Sequence, residues 1–187
     1  MTIGFNHLGR HGRLGNQMFQ YAGLRGIAAH RGFDFMIPES DFNDEWNDHQ
    51  LFEAFKLKGL TNIGVCPGPY VQEAHFHFDQ NLYDNMPDGH NVYAYLQSTK
   101  YFDIIEEEIR QDFEFKNEIK APCEDMISTV QDPIALHVRR GDYIQNCDNH
   151  PPCPKEYYDT ALSKFDKRRS VVIFSDDPQW CSTEFPD

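Results

Sequence analysis

The N-terminal segment alternates between apolar and glycine-rich stretches in an order that restricts the fold. Met1–Leu8 is a short mixed segment typical of a strand, and glycines then punctuate residues 9–15. From Asn16 apolar side chains recur at helical spacing until Gly32, and the apolar run Phe33–Ile37 follows. A strand, a glycine-rich loop, a helix and a second strand in this order predict a parallel α/β arrangement.

A second unit of the same kind begins near residue 133. Ile134–Val138 is an apolar strand, Tyr157–Phe165 has a helical pattern, and Val171–Phe174 is another apolar strand. The polar stretch Lys116–Asp132, which contains Pro122 and is followed by Pro133, predicts the boundary before this unit.

The intervening sequence gives weaker signals. We predict a short helix at Leu51–Leu57, strands at Val71–Phe78 and Val92–Leu96, and an acidic amphipathic helix at Tyr101–Phe113. Alternating histidines within the second of these segments could share one face, as metal ligands would, but no third ligand is identifiable, so an ordinary half-buried strand is favoured.

The charge balance excludes some classes of partner. The 187 residues carry a formal net charge of −13, which repels nucleic acid and anionic membrane surfaces, so neither is predicted as a partner. Basic side chains cluster near two glycine-containing segments: one group is Arg10, His11 and Arg13, and the other is His137, Arg139 and Arg140. Two local positive sites in an acidic chain indicate a small anionic ligand, with ordinary surface arginines as the alternative.

The cysteines and the lengths of the apolar runs indicate the cellular compartment. The five cysteines are odd in number and contain no CxxC, which argues against a zinc ribbon. No stretch approaches the roughly 18 apolar residues needed to cross a bilayer. The N-terminus also lacks the apolar core of a signal peptide. We therefore expect a cytoplasmic chain with free thiols and no transmembrane segment.

The strongest motif is HVRRGDY, from His137 to Tyr143, which follows the predicted strand directly. Ligands bind at the carboxyl ends of strands in open α/β sheets. Arg139 and Arg140 supply permanent charges that match phosphate oxygens, and Gly141 permits a tight turn with close backbone approach. Asp142 could hold an arginine or orient a ligand hydroxyl. An ion-paired arginine cluster without a ligand is the alternative.

The second motif is GRLGNQMFQYA, from Gly12 to Ala22, where glycines open onto a helix N-terminus. Such ends attract anions, Arg13 adds a charge, and Asn16 offers both a donor and an acceptor. The spacing fits neither GxGxxG nor a P-loop. A tight turn with Asn16 as the helix N-cap is the alternative.

The third motif is FSDD, from Phe174 to Asp177, at the end of the last predicted strand. Carboxylates at this place could accept hydrogen bonds from a base or a ribose. Two other interpretations stay open: a pair of metal ligands, and an aspartate N-cap ahead of Pro178.

Together with YLQSTKYF (Tyr95–Phe102) and EYY (Glu156–Tyr158), these three motifs occur in an order that resembles the bacterial-type α-1,2-fucosyltransferase family. The matching segments run from about residue 9 to residue 181. The resemblance implies a GT-B-like α/β fold, with an N-terminal acceptor-side α/β domain at residues 1–120. An incomplete Rossmann-like nucleotide-binding domain would follow at residues 133–187, with its C-terminal part missing.

The resemblance also implies the chemistry. The donor would be GDP-fucose and the acceptor a glycan, and the reaction would invert the anomeric configuration without a metal or other cofactor. The implied catalytic residues are Arg139, Asn16 and Asp142, with Arg139 on the diphosphate and Asp142 orienting the arginines. The implied donor-binding residues are Arg13, Gly15, His137, Arg140, Ser175 and Asp177. The sequence does not identify the catalytic base. The acceptor also stays open, since residues 41–88 give no pattern that identifies a glycan.

The chain departs from the family at its end. Family members are longer, and a segment similar to NSTFSWWG that helps to close their donor site has no counterpart here. We therefore expect a fragment or a naturally shortened relative, with a chain completed by another polypeptide and a minimal version of altered function as the other interpretations. The sheet edge left exposed would favour self-association. A non-catalytic nucleotide- or glycan-binding module and a transferase of another nucleotide sugar are the alternatives.

Overall fold

The computed structural model describes residues 1–40 and 49–186. The chain divides into two compact units, Met1–Lys120 (unit 1) and Ala121–Asp187 (unit 2). In the described part of the chain, no helix has both the length and the apolar character needed to cross a membrane.

Unit 1 contains a parallel sheet of four strands in the order β2-β1-β4-β3. The strands are β1 (Thr2–Gly4), β2 (Asp34–Met36), β3 (Tyr70–Gln72) and β4 (Asn91–Tyr93). Every strand pairing in this sheet is parallel, which confirms the predicted parallel α/β class.

The long helix α1 (Leu14–Arg31) connects β1 to β2 and packs on the sheet. Its buried face recurs every three or four residues and includes Tyr21, Leu24 and Ile27. The helix ends at Gly32, whose left-handed backbone (φ 67°) lets its N–H reach the carbonyls of the last turn. The sequence therefore predicts both the helix and its end.

Among the described residues up to 128, four shorter α-helices follow α1. They are α2 (Leu51–Ala54), α3 (Gln80–Asn85), α4 (Glu106–Asp112) and α5 (Asn117–Ser128). The helix predicted at Tyr101–Phe113 is confirmed over Glu106–Asp112, which is α4. Its predicted start is replaced by two 3₁₀ turns, Thr99–Tyr101 and Asp103–Ile105.

Side-chain hydrogen bonds explain where the prediction of β3 was wrong. The strand predicted to reach Phe78 ends at Gln72, because the following backbone is held by carboxylates. The Asp79 carboxylate accepts from the Ala74 N–H, and the Glu73 carboxylate accepts from the Tyr95 N–H. These bonds replace the ladder that would have extended the strand.

Unit 2 contains a two-stranded parallel sheet, β5 (Ile134–Val138) and β6 (Val171–Ser175), paired over their full length. Its helices after the first strand are α6 (Gly141–Gln145), α7 (Lys155–Leu162) and α8 (Pro178–Glu184). One sheet face packs against α7 and α8, with Leu136, Val138, Tyr158 and Cys181 as its buried centre. On the opposite face His137 and Phe174 are paired neighbours, and both are exposed.

Candidate functional site

The HVRRGDY and FSDD motifs lie side by side in unit 2. Val138 and Ser175 are paired as the last residues of β5 and β6, so the residues that follow leave the same edge of the sheet. The backbone N–H of Arg140 donates to Asp176 Oδ1 at 2.8 Å, and Arg140 Nε donates to Asp177 Oδ2 at 3.1 Å. The two loops therefore form one cluster at the carboxyl end of both strands.

Arg140 is the structural arginine of this cluster. Its guanidinium carbon lies 4.0 Å from the centroid of the Trp180 ring, and its side chain is only 19% exposed. An ion pair on one side and an aromatic face on the other hold the guanidinium in place. Arg140 thus joins β5 to the start of α8.

Arg139 has a different environment. Its Nη2 donates to both carboxylate oxygens of Asp142, at 3.1 and 3.0 Å, and its guanidinium lies 4.8 Å from the centroid of the Tyr143 ring. This carboxylate raises the pKa of Arg139 above its ordinary value. The Arg139 side chain is 35% exposed, so it is oriented but remains accessible. Asp142 therefore orients Arg139, whereas the carboxylate partner of Arg140 is Asp177, at the start of α8.

Gly141 is the first residue of α6, whereas the sequence suggests a tight turn at this position. A Cβ at this position would lie 2.8 Å from Asp176 Oδ2, so glycine permits the close approach of that carboxylate. The N–H of Arg140 lowers the pKa of Asp176 below its ordinary value, which keeps the carboxylate ionised as an acceptor. The close approach predicted for Gly141 is thus made to a protein group.

Asp177 is the N-cap of α8. Its Oδ1 accepts from the Trp180 N–H at 3.1 Å, its own N–H donates to Ser175 Oγ at 2.9 Å, and Pro178 is the first helical residue. The N-cap alternative for this residue is therefore confirmed. A contact of Asp177 or of the exposed His137 with a nucleotide stays a prediction.

The N-terminal motif lies in unit 1. Arg13 occupies the N-cap position of α1 without a side-chain capping bond, and Gly15 is exposed in the first turn. Asn16 lies inside the helix, so the alternative of Asn16 as N-cap is wrong. Its Oδ1 accepts from Gln97 Nε2 at 2.7 Å. That Arg13, Gly15 and Asn16 contact a donor stays a prediction.

Three residues that build the cluster in unit 2 carry no sequence signal of that role: Tyr143, Asp176 and Trp180. Tyr143 and Asp176 lie inside the motifs, but nothing in the local sequence pattern indicates that they contact Arg139 and Arg140. Trp180 follows the N-cap Asp177 by three residues, which places an aromatic ring in the first turn of α8. That helix-start signal could have indicated the ring's position.

Metal ligation has no candidate within residues 1–40 and 49–186, where no group of three His, Cys, Asp or Glu side chains is arranged to hold an ion. His75 and His77 lie beyond the end of β3, and His75 Nδ1 hydrogen-bonds the His77 carbonyl.

The cap and ion pair of Asp177 give a testable stability difference. We expect Asp177→Ala to lower the free energy of unfolding by about 1–2 kcal/mol, since it removes the N-cap of α8 and the partner of Arg140. Asp177→Asn can still cap the helix, so its free energy of unfolding should lie between those of the unsubstituted chain and Asp177→Ala. Urea unfolding followed by circular dichroism measures the change. Asp159→Ala, which removes an exposed carboxylate paired with Lys155, is the control. Equal stability of the two alanine variants would contradict the structural role of Asp177.

Comparison with known proteins places the chain in a family. The family described as "Glycosyl transferase family 11" matches residues 2–187. An alpha-1,2-colitosyltransferase of Escherichia coli is 23% identical, over 91% of this chain and 68% of the relative. The galactoside 2-alpha-L-fucosyltransferase Sec1 of Mus musculus is 27% identical, over 91% of this chain and 49% of the relative. The chain thus spans about half the length of Sec1.

A solved structure extends the likeness to the fold. The fucosyltransferase NodZ from Bradyrhizobium superposes with a TM-score of 0.58, over 100% of this chain and 77% of NodZ, at 16% identity. The family match and the named relatives confirm the predicted resemblance. The chain therefore belongs to glycosyl transferase family 11.

Proposed function

We propose that this chain is part of an α-1,2-fucosyltransferase that transfers fucose from GDP-fucose to a galactose-type hydroxyl of a glycan. The relatives' names support the linkage and the acceptor class, since one is a galactoside 2-alpha-L-fucosyltransferase. NodZ structures co-crystallised with GDP and soaked with GDP-fucose support the donor. In this proposal unit 1 is the acceptor side of a GT-B arrangement and unit 2 begins the donor domain.

The proposal rests on the different environments of Arg139 and Arg140. Arg140 is held by Asp177 and Trp180, and so it fixes the loop. Arg139 leaves the same strand end with an accessible guanidinium that Asp142 orients from one side. An oriented, permanently charged fork at the carboxyl end of a parallel strand is suited to bind a diphosphate.

The proposed reaction is a single displacement at the anomeric carbon of fucose. The acceptor hydroxyl oxygen forms a bond to that carbon on the face opposite GDP. The bond from the carbon to the diphosphate oxygen breaks, and the hydroxyl proton is released to solvent or a base. The anomeric configuration inverts. Negative charge grows on the diphosphate as the carbon becomes oxocarbenium-like, so Arg139 would stabilise the transition state more than the bound donor. This charge takes the place of a metal ion in the proposal.

Titration with GDP tests the donor site. We expect the chain to bind GDP in calorimetry without added metal, and Arg139→Ala to bind it ten- to hundredfold more weakly. A charged hydrogen bond contributes about 1.5–3 kcal/mol, and about 1.4 kcal/mol corresponds to tenfold in affinity. Arg168→Ala is the matched control, because Arg168 pairs with Asp166 at the surface of the same unit. A chain that does not bind GDP, or an Arg139→Ala variant that binds it unchanged, would contradict the proposal.

A transferase of another sugar is the second candidate, and the colitosyltransferase relative favours it. Arginines that bind phosphate do not distinguish one sugar from another. Competition between GDP and UDP reports the nucleotide, and transfer assays with GDP-fucose report the sugar. Binding of GDP with no transfer would favour the non-catalytic module.

A further inference from the structure

Unit 1 contains a cavity of about 220 Å³ that the proposed donor site does not use. It lies where β3 and β4 end, since Gln72 and Tyr93 are the last residues of those strands and both line it. His11, from the loop between β1 and α1, forms another wall. The carboxyl ends of parallel strands are the edge at which α/β sheets bind ligands.

Aromatic rings line this cavity in a continuous series. Alternation along and beyond β4 turns Val92 and Ala94 into the core and leaves Tyr93 and Tyr95 half-buried on the other face. The His11 ring lies 4.6 Å from Tyr93 and 5.5 Å from Tyr95, measured between centroids. Phe76 lies 5.6 Å from Tyr95 and is 72% exposed. An exposed phenyl ring over a partly buried aromatic floor is a surface that a flat apolar ligand face can cover.

Glu73 fixes that floor. One carboxylate oxygen accepts from the N–H groups of Tyr95 and Leu96, at 3.0 and 3.3 Å. The other accepts from the Tyr101 hydroxyl at 2.9 Å. Both oxygens are therefore engaged by the protein, and the backbone that carries Tyr95 is held before any ligand arrives.

His11 gives the cavity a polar wall. His11 Nε2 is buried and has no hydrogen-bond partner among the described residues. Burial, and after it the positive charge of Arg10, lowers the pKa of His11 below its ordinary value, so the neutral imidazole is favoured. Because the nitrogen is buried, His11 serves the cavity as a ring packed against Tyr93 and Tyr95. A wall of aromatic rings suits a neutral ligand with an apolar face better than a phosphate.

From these features we propose that the cavity lined by His11, Phe76, Tyr93 and Tyr95 binds the terminal β-galactoside ring of the acceptor glycan. This inference rests on the proposed function and names the acceptor subsite within unit 1. The axial 4-hydroxyl of galactose leaves one face of the ring as a contiguous patch of C–H groups. That patch stacks on Phe76 and Tyr95, whose π faces attract the weakly positive hydrogens.

Ligand-observed NMR with two disaccharides tests the assignment. Lactose and cellobiose differ only at C4 of the non-reducing sugar, so they separate galactose stacking from general sugar binding. We expect saturation transfer to the galactose ring protons of lactose, and at least threefold weaker transfer to cellobiose. Phe76→Ala should reduce the lactose signal at least fivefold, and His11→Ala, which removes the ring packed against Tyr93 and Tyr95, should reduce it as well.

The control removes an aromatic ring elsewhere. Phe165 is 44% exposed in unit 2, and Phe165→Ala should leave the lactose signal unchanged. No transfer from the unsubstituted chain, equal transfer to cellobiose, or an unchanged signal in Phe76→Ala would overturn the proposal. GDP calorimetry on the same samples separates the two claims. GDP binding without lactose binding would contradict only this acceptor subsite. Lactose binding that depends on Phe76, without GDP binding, would contradict the proposed donor site and support the sugar pocket.

Discussion

Replacement of Asp112 by alanine is expected to lower the free energy of unfolding of unit 1 by about 3–5 kcal/mol. Asp112 is the last residue of α4, and only 1% of its side chain is exposed. Arg25 of α1 forms an ion pair with it, the Tyr21 hydroxyl donates to Oδ2 at 2.6 Å, and the Gly59 N–H donates to Oδ1 at 2.6 Å. One carboxylate thus joins α1, α4 and the loop that follows α2.

The size of the effect follows from what the variant leaves behind. Without the carboxylate, Arg25 keeps a partly buried charge, and the N–H of Gly59 and the hydroxyl of Tyr21 lose their acceptor. Burial, followed by the hydrogen bond to Asp112, raises the pKa of Tyr21 above its ordinary value, so the hydroxyl stays a donor throughout the accessible pH range. Small domains are stable by only about 5–15 kcal/mol, so the expected loss is a large fraction of the total.

Two further variants identify the cause. Tyr21→Phe removes one hydrogen bond and keeps the ring, so we expect a cost of about 1 kcal/mol. Glu114→Ala removes an exposed carboxylate that pairs with Lys56 and Lys58, and we expect little change. Urea unfolding followed by circular dichroism compares the three. If Asp112→Ala were no less stable than Glu114→Ala, the buried cluster would not hold these elements together.

This cluster also shows where sequence reasoning stops. The β1–α1–β2 order and the strand before Arg139 are readable because their signals are local: helical periodicity, a glycine at the helix end and short apolar runs. Asp112, Arg25 and Tyr21 are separated by up to 91 positions, and nothing in an acidic helix marks one carboxylate as buried. Long-range pairing of polar side chains is decided by the tertiary structure and leaves no periodic trace.

The candidate sites divide in the same way. The HVRRGDY and FSDD motifs are placed correctly at strand ends because both follow apolar runs directly. The different environments of Arg139 and Arg140 could not be predicted, since they depend on Asp177 and Trp180, which β6 brings beside β5. In the proposed acceptor pocket, alternation predicts that Tyr93 and Tyr95 share a face. The position of His11 against both rings depends on how β1 and β4 pair.

Gly26→Ala should destabilise unit 1 by about 3 kcal/mol, although alanine in a helix interior is ordinarily favoured over glycine by about 1 kcal/mol. Gly26 is buried in the middle of α1. A Cβ there would lie 1.9 Å from the Tyr101 carbonyl oxygen and 2.7 Å from Phe102 Cα. Both are backbone atoms of the 3₁₀ segment that replaces the start of the predicted helix, and a backbone cannot move aside as a side chain can. The missing Cβ is therefore what lets this segment rest on α1.

Two other glycines of α1 give a graded comparison for thermal unfolding. At Gly15 a Cβ would meet nothing within 4 Å, so Gly15→Ala should be neutral or stabilising by up to about 1 kcal/mol. At Gly23 it would lie 2.7 Å from the Leu96 side chain, which can shift, so Gly23→Ala should be destabilising but less so than Gly26→Ala. Helix propensity alone would raise the melting temperature in all three variants. The expected order, with Gly15→Ala highest and Gly26→Ala lowest, arises only if close packing on α1 decides the outcome. A Gly26→Ala variant as stable as Gly15→Ala would contradict the contact between α1 and Tyr101.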